Sequence, residues 1–169
     1  MRSATPSEPA VLVTARLRLT HDYPMEIGAC LDVLDDEQVW WRPNEDANSI
    51  ANLVLHLAGS NHFYFEHVIA GQELRRDRDA EFSARATHSR AELIDLWQAS
   101  VRSTGAVLDT FDAARLSEVT EKTGKPLTLE WILLHVTHHN AIHMGQILAT
   151  TKMLRAGAIR DLWKRTRAL

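Results

Sequence analysis

The stretch LEWILLHVTHHNAIHMGQIL, residues 129–148, decides how the rest of the chain is interpreted. Its apolar residues recur at helical spacing and define one inward face. The stretch contains four histidines: His135, His138, His139 and His143. On a helix that turns about 100° per residue, His139 and His143 lie inside the apolar stripe, and the other two are alternatives if the helix is rotated from this orientation. Imidazoles on an inward face need partners, because an unsatisfied buried polar group costs about 1–3 kcal/mol.

The same stretch belongs to the last of four predicted long helices. That helix begins after Thr128, a capping residue, and extends to about Leu154. Three earlier stretches also have helical spacing, and they cover about residues 10–34, 50–70 and 90–111. The stretch VLVTARLRL, residues 11–19, alternates and could form a strand, but no other stretch offers a convincing partner strand. We therefore expect an all-α protein that folds as an antiparallel four-helix bundle.

Capping and turn residues mark the boundaries of the middle helices. Asn48 or Ser49 can cap the second helix, and Gly71 is placed to end it. The sequence SRAE at residues 89–92 has a capping-box pattern that opens the third helix. Between these two helices, the highly charged residues 72–87 are expected to form a solvated loop.

The domain organisation is simple, because no repeat, low-complexity tract or linker interrupts the chain. We expect a frayed tail over residues 1–9 and a single domain over residues 10–169, which ends in a short helical extension. Within the first helix, Pro24 predicts a break, with Asp22 as a cap for the helix that follows.

The second helix supplies a further inward histidine. In ANLVLHLAGSNHFYFEHV, residues 51–68, His56 lies on the apolar face. A His-x-x-x-His pair such as His139 and His143 places two imidazoles about 5–6 Å apart on one helical face, close enough to share a metal ion. A third imidazole from a facing helix would leave a divalent ion with an open coordination position, as in catalytic sites. Each histidine alone could instead be a core residue that bonds to a carbonyl group.

Composition argues against several functional classes. The 19 Lys and Arg residues against 22 Asp and Glu residues give a net charge of −3, which disfavours nucleic-acid binding. Cys30 is the only cysteine, so the chain has no internal disulfide and no cysteine-based metal site. No apolar run approaches the roughly 20 residues of a membrane span, and the N-terminus lacks the apolar core of a signal peptide. We therefore expect a cytoplasmic protein that binds neither membranes nor nucleic acids.

Two segments together resemble the DinB/YfiT-like superfamily: WWRPNEDANSIANLVLHLAG at residues 40–59 and HHNAIHMGQI at residues 138–147. The resemblance implies a four-helix bundle of the up-up-down-down type, usually dimeric, with a divalent metal held by three histidines. It places the first ligand at His56 and the other two at His139 and His143, the pair that helical geometry also selects. It implies nickel or zinc as the metal. Some members of the superfamily are enzymes that use mycothiol or bacillithiol, and others were described as metal-dependent hydrolases.

Several residues are further candidates near this site. Ser60 and Tyr64 lie along the inward face of the second helix and could hydrogen-bond a substrate, although packing explains them equally well. Gln146 could orient a metal ligand or a bound water. Gly145, inside the last helix, predicts the close approach of a neighbouring helix. The superfamily often has Arg at the position of Met144, so this chain lacks the cationic group that would hold an anionic cofactor there.

Three functions are compatible with such a site. The leading hypothesis is a thiol-dependent S-transferase or isomerase that acts on a small electrophile, since a metal lowers the pKa of a thiol. The second is a hydrolase with metal-activated water, although the sequence shows no inward carboxylate as a proton shuttle. The third is a metal-stabilised binding or stress-response protein without catalysis. The expected cofactors are zinc or nickel and a low-molecular-weight thiol, and the expected partners are a small-molecule substrate and a second copy of the chain.

Overall fold

A computed structural model describes residues 8–162 and residue 164, and this part of the chain is predominantly helical. Its α-helices are α1 (Ala10–Leu17), α2 (Tyr23–Asp32), α3 (Asp36–Trp40), α4 (Ile50–Asn61), α5 (Arg78–Ser83), α6 (Arg90–Asp109) and α7 (Leu129–Leu154). Two π-helical segments, Arg18–Asp22 and His62–Ile69, continue α1 and α4, and a 3₁₀-helix covers Ala113–Ser117. The expectation of a mostly helical protein is confirmed.

The predicted helix starts are confirmed at three caps. The Ser49 side chain accepts a hydrogen bond from the backbone N–H of Asn52, whose side chain accepts one from the backbone of Ser49 in return. Ser89 forms the same reciprocal capping box at the start of α6. Thr128 caps α7 through a hydrogen bond from a backbone N–H one turn further on. The second predicted helix also ends as expected, since Gly71 adopts a φ of 78°, which favours glycine.

The first predicted helix contains a π-helical turn. Pro24 lies in the first turn of α2, where its missing N–H is tolerated, and the π-helical segment Arg18–Asp22 precedes it. The prediction that Asp22 caps α2 is wrong, because its side chain makes no capping hydrogen bond. That buried carboxylate instead contacts Arg18 at 2.6 Å and His21 at 2.9 Å.

The prediction of a solvated loop over residues 72–87 is correct in part, because most of these residues are exposed, but the segment contains a helix. Residues Arg78–Ser83 form α5, and the Asp77 side chain caps it by accepting a hydrogen bond from the backbone N–H of Ala80. The side chains of Arg76 and Glu81 are only 17% and 11% exposed, since they lie against α4. A run of charged residues is usually solvated, but here two of the charges pair with each other and become partly buried.

A short hairpin, which the sequence did not predict, joins α6 to α7. Strand β1 (Val119–Thr120) pairs antiparallel with β2 (Leu127–Thr128), so that Val119 lies opposite Thr128. Gly124 has a φ of 86° in the connecting turn. Strands of two residues are too short to show an alternating pattern, so they could not be predicted.

The apolar core consists of two clusters stacked along the long helices. The first includes Leu31, Ile50, Leu57, Trp97 and Ile147, and the second includes Leu19, Phe65, Leu108, Ile132 and Val136. Between them, α4, α6 and α7 contribute buried polar residues: His56, Ser60, Asn61, Ser100, Thr104 and Asn140. The amide group of Asn140 donates a hydrogen bond to Asn61 across this layer, at 2.9 Å. The histidines of the candidate site lie at this level.

Two apolar residues that follow α7 complete the first core cluster. Ile159 and Leu162, which follow α7, are 7% exposed each and belong to the first core cluster. The rest of the predicted C-terminal extension, residue 163 and residues 165–169, lies outside the described residues, as do residues 1–7 of the predicted tail. Within the described part of the chain, no helix combines the length and the apolar character that a membrane span requires.

Candidate metal centre

The structure brings together the three histidines that the sequence selected. His56 lies in the middle of α4, and His139 and His143 lie one turn apart on α7. Each offers one ring nitrogen, and these three atoms all lie within 4.8 Å of one another. The Nε2 atoms of His56 and His139 are 2.9 Å apart. The candidate site therefore combines residues from two helices that pack against each other.

Burial keeps the imidazoles of His139 and His143 neutral at neutral pH. Burial, together with the neighbouring His143 and His56, lowers the pKa of His139 to about 3. Burial also lowers the pKa of His143, although its hydrogen bond with Gln146 acts in the opposite direction. A neutral imidazole has a free lone pair, which is the form that binds a metal ion.

Hydrogen bonds to the outer ring nitrogens indicate which nitrogen faces the site. His56 Nδ1 lies 3.0 Å from Glu81 Oε2, and His143 Nδ1 lies 2.7 Å from Gln146 Oε1. Both oxygens are acceptors, so we assign the proton of each ring to Nδ1. This tautomer leaves Nε2 of each ring with a lone pair that can bind a cation.

The donor set fits a divalent cation. When His56 and His139 both carry their protons on Nδ1, the two Nε2 lone pairs face each other at 2.9 Å, and a shared cation removes the repulsion between them. His139 Nδ1 is buried and has no hydrogen-bond partner among the described residues. Three neutral imidazoles suit borderline divalent ions such as zinc and nickel. His56, His139 and His143 are the residues that would hold such an ion.

The structure also places a carboxylate behind His56, which the sequence analysis missed. Burial raises the pKa of the Glu81 carboxyl, but hydrogen bonds from His56 and Arg76 outweigh it, so the net pKa is lowered. Glu81 is therefore ionised, and both of its oxygens are engaged: Arg76 Nε lies 2.7 Å from Oε1 and His56 Nδ1 lies 3.0 Å from Oε2. This carboxylate orients a histidine and is not free to act as a proton shuttle.

The further candidate residues take different positions around the site. Ser60 is 2% exposed and thus faces the protein interior. Gln146 accepts a hydrogen bond from His143, so it lies where it can orient that imidazole ring. The expectation that Gly145 allows close helix approach is wrong within the chain, because Gly145 is exposed and a Cβ there would meet no atom within 4 Å.

The other histidines of the two helices lie outside the cluster. His138, which lies outside the apolar stripe of α7, is exposed. His62 pairs with Glu66 at 3.0 Å on the same helix. His67 Nδ1 contacts the backbone carbonyl of Gln72 at 2.8 Å, away from the three clustered rings.

A row of aromatic rings leads from the surface to the cluster. Trp131, which is 41% exposed, stacks on His135 with ring centroids 4.8 Å apart and planes 9° apart. His135 in turn stacks on His139 at 5.9 Å, and Tyr64 packs edge-on against His135 at 5.4 Å. Burial raises the pKa of the Tyr64 hydroxyl, while Arg76 acts in the opposite direction. This row lies beside the candidate ligands and is exposed at Trp131.

Comparison with known families assigns the chain. The sequence profile of a family described as mycothiol-S-transferase matches residues 22–154, which include all three clustered histidines. The chain belongs to this family. The superfamily predicted from residues 40–59 and 138–147 is thereby confirmed. No curated protein matches the sequence.

A solved structure supports the fold of this mycothiol-S-transferase family member. The crystal structure of a DinB-like protein from Bacillus cereus superposes with a TM-score of 0.66 and covers 85% of this chain and 90% of that chain. The two sequences are 14% identical, so the likeness concerns the fold alone.

Proposed function

We propose that the protein is a metal-dependent S-transferase that joins a small thiol to a small electrophile. The observation that carries the proposal is the convergence of His56, His139 and His143, whose ligand atoms lie within 4.8 Å of one another. The family match supports a reaction that joins a thiol through its sulfur to a second molecule, with mycothiol as the first candidate thiol. We further propose zinc or nickel as the metal, since both suit three imidazole ligands.

The cation would supply one chemical property. A divalent ion held by the three imidazoles lowers the pKa of a nearby thiol and so favours the nucleophilic thiolate at neutral pH. In a transferase, the thiolate sulfur forms a bond with an electrophilic carbon, and the leaving group departs with its bonding electrons. An isomerase would use the same attack reversibly.

The chain's own residues would set the geometry of this reaction. His139 stays neutral at physiological pH because its pKa is lowered to about 3 by burial, so its lone pair remains available. Glu81 and Gln146 hold the rings of His56 and His143 through their Nδ1 atoms. We propose that the electrophile lies against the aromatic row of Trp131, His135 and Tyr64. These rings give it an apolar surface and partly exclude water.

The first experiment measures metal content and thiol conjugation together. The protein is purified without chelator, its metals are counted, and thiol consumption is followed with mycothiol or bacillithiol and a panel of small electrophiles. His139→Ala is the test variant, and His138→Ala is its matched control, because that neighbouring histidine is exposed and outside the cluster. We expect His139→Ala to lose the metal and the turnover, and His138→Ala to retain both.

Other outcomes would point to the alternative functions. Hydrolysis of esters or amides without added thiol would favour metal-activated water. A metal that raises the melting temperature but supports no turnover would indicate a binding protein. The absence of a stoichiometric divalent metal, together with no rise in melting temperature on adding zinc or nickel, would contradict the proposal as a whole.

We also propose that the four long helical segments form an antiparallel bundle and that two chains associate as a homodimer. The support for the dimer is a row of exposed apolar side chains on α7. Ile142 and Met153 are 50% and 62% exposed, respectively. Gly145 lies on the same helix, and the space beside it is open, so a second helix could approach closely there.

A further inference from the structure

The charged segment before α6 is fastened to α4 at the level of the candidate metal site. The buried Asn52 side chain donates from Nδ2 to the backbone carbonyls of Glu81, Phe82 and Ala84, at 2.9, 3.3 and 3.1 Å. The Phe82 ring lies 4.6 Å from the ring of His56, measured between centroids. The end of α5 thus covers His56 from the side opposite α7.

An ion pair on this segment reaches the outer nitrogen of His56. Arg76 binds Glu81 with two parallel contacts, Nε to Oε1 at 2.7 Å and Nη2 to Oε2 at 2.8 Å. Glu81 Oε2 also accepts a hydrogen bond from His56 Nδ1 at 3.0 Å. Arg76 Nη2 additionally reaches the backbone carbonyl of His56 at 3.4 Å. The guanidinium group therefore fixes the carboxylate, and the carboxylate fixes the imidazole.

The pair occupies a space that only glycine leaves open. Gly59 lies three residues after His56 and therefore on the same side of α4. A Cβ at Gly59 would come within 2.1 Å of Glu81 Oε1 and 3.1 Å of Arg76 Nε. Real Cβ atoms do not approach other atoms so closely. Any side chain at this position would force the Glu81 carboxylate, whose other oxygen contacts His56, to shift.

We infer that Gly59, Arg76 and Glu81 form a positioning unit that fixes the ring of His56 and thereby sets the affinity of the three-histidine site for its metal. The inference rests on the proposed function, because it assumes that these histidines bind a cation. Its physical basis is general: a carboxylate that accepts the outer N–H of a ligating histidine fixes the tautomer and the ring orientation and makes the ligand more basic.

The test measures zinc affinity directly, with a chromophoric chelator as competitor, and needs no enzymatic assay. The variants are Glu81→Gln, Glu81→Ala and Gly59→Ala. Gly28→Ala is the matched control, because it also adds a methyl group inside a helix but meets no atom within 4 Å. We expect roughly tenfold weaker binding for Glu81→Gln and up to about 100-fold for the other two, the usual range for such partners. Gly28→Ala should bind zinc like the wild type.

Two further measurements separate positioning from general stability. The unfolding of each metal-free variant is recorded, and the absorption spectrum of the cobalt-loaded protein reports the ligand geometry. A merely structural role would lower the stability of the metal-free protein and leave the affinity and spectrum of the folded protein unchanged, and this outcome overturns the inference. In the double variant Glu81→Ala/Gly59→Ala, we expect no loss beyond that of Glu81→Ala, since the added methyl group then has no carboxylate to displace. If Gly59→Ala does not fold, the Glu81→Gln result decides.

The outcomes also distinguish this inference from the proposed function. If Glu81→Gln and Gly59→Ala bind zinc like the wild type, while His139→Ala does not bind it, the positioning unit is wrong and the metal site stands. A wild-type protein that binds neither zinc nor nickel overturns both.

Discussion

Replacing Asn52 with alanine should destabilise the protein by more than the loss of a helix cap. The Asn52 side chain is fully buried and has two roles, since Oδ1 accepts from the backbone of Ser49 while Nδ2 donates to three carbonyls in residues 81–84. Losing half of a capping box costs about 1 kcal/mol. The Phe82 and Ala84 carbonyls keep a hydrogen bond from Arg85 Nη1, but the partly buried Glu81 carbonyl loses its side-chain donor, which costs about 1–3 kcal/mol more. We therefore expect the free energy of unfolding to fall by about 2–4 kcal/mol, which corresponds to roughly 5–15 °C in melting temperature.

The matched control for this variant is Ser49→Ala. It removes the cap of α4 but leaves the three hydrogen bonds from Asn52 Nδ2 in place, so we expect it to cost about 1 kcal/mol. Urea unfolding of the metal-free proteins, followed by circular dichroism, gives both values on one scale. If Asn52→Ala costs no more than Ser49→Ala, the side chain does not anchor the end of α5, and the reasoning about that segment fails.

Three further predictions concern single residues. The folded-state pKa of His139 is lowered to about 3 from 6.5. Between these two pH values the unfolded chain binds a proton at this residue and the folded chain does not, so the metal-free protein should lose stability as the pH falls from 6.5 towards 3. His139→Asn should lose less stability than the wild type when urea unfolding is compared at about pH 7 and about pH 5, and equal losses would contradict the assignment. Burial raises the pKa of the Cys30 thiol to about 11, so iodoacetamide should modify it much more slowly in the folded than in the unfolded protein. Mass spectrometry measures both rates, and equal rates would contradict this prediction. Ile142→Glu should shift the proposed dimer to a monomer in light scattering, whereas a wild-type protein that is already monomeric would refute the dimer.

The helices could be predicted because their signals are local. Ser49, Ser89 and Thr128 each cap the helix that follows, and a cap depends on residues within one turn of it. The same locality explains why His139 and His143 could be predicted to lie together, since a spacing of four residues on one helix places two rings on one face. His56 required a facing helix, and it was reached through helical direction together with the resemblance to a known superfamily.

The role of Glu81 could not be predicted, because it depends on contacts between distant parts of the chain. Glu81 stands in a run of charged residues, and composition alone makes such a run look solvated. Its burial follows from three partners outside α5, namely Asn52, Arg76 and His56. A cap at Asp77 was the only local signal that the run begins a helix.

The roles of two helical glycines also depend on tertiary contacts that the sequence does not reveal. Gly59 and Gly145 both interrupt a helical pattern, and the sequence analysis assigned close approach to Gly145 alone. The structure reverses this, because a Cβ at Gly59 would overlap Glu81, whereas the space beside Gly145 is open within the chain. A glycine in a helix indicates that something needs room, but the neighbour that needs it belongs to the tertiary structure.

The position of the histidines between two apolar clusters bears on how variants of the site can be interpreted. Ile147 belongs to one cluster and Val136 to the other, so α7 is packed into apolar core on both sides of His139. Truncating His139 therefore removes a polar ring from the layer between the clusters and leaves both apolar contacts of the helix in place. We expect His139→Ala to remain folded, because it removes a buried ring nitrogen, Nδ1, that has no hydrogen-bond partner among the described residues. Loss of metal binding in that variant would then report the loss of a ligand and not the loss of the fold.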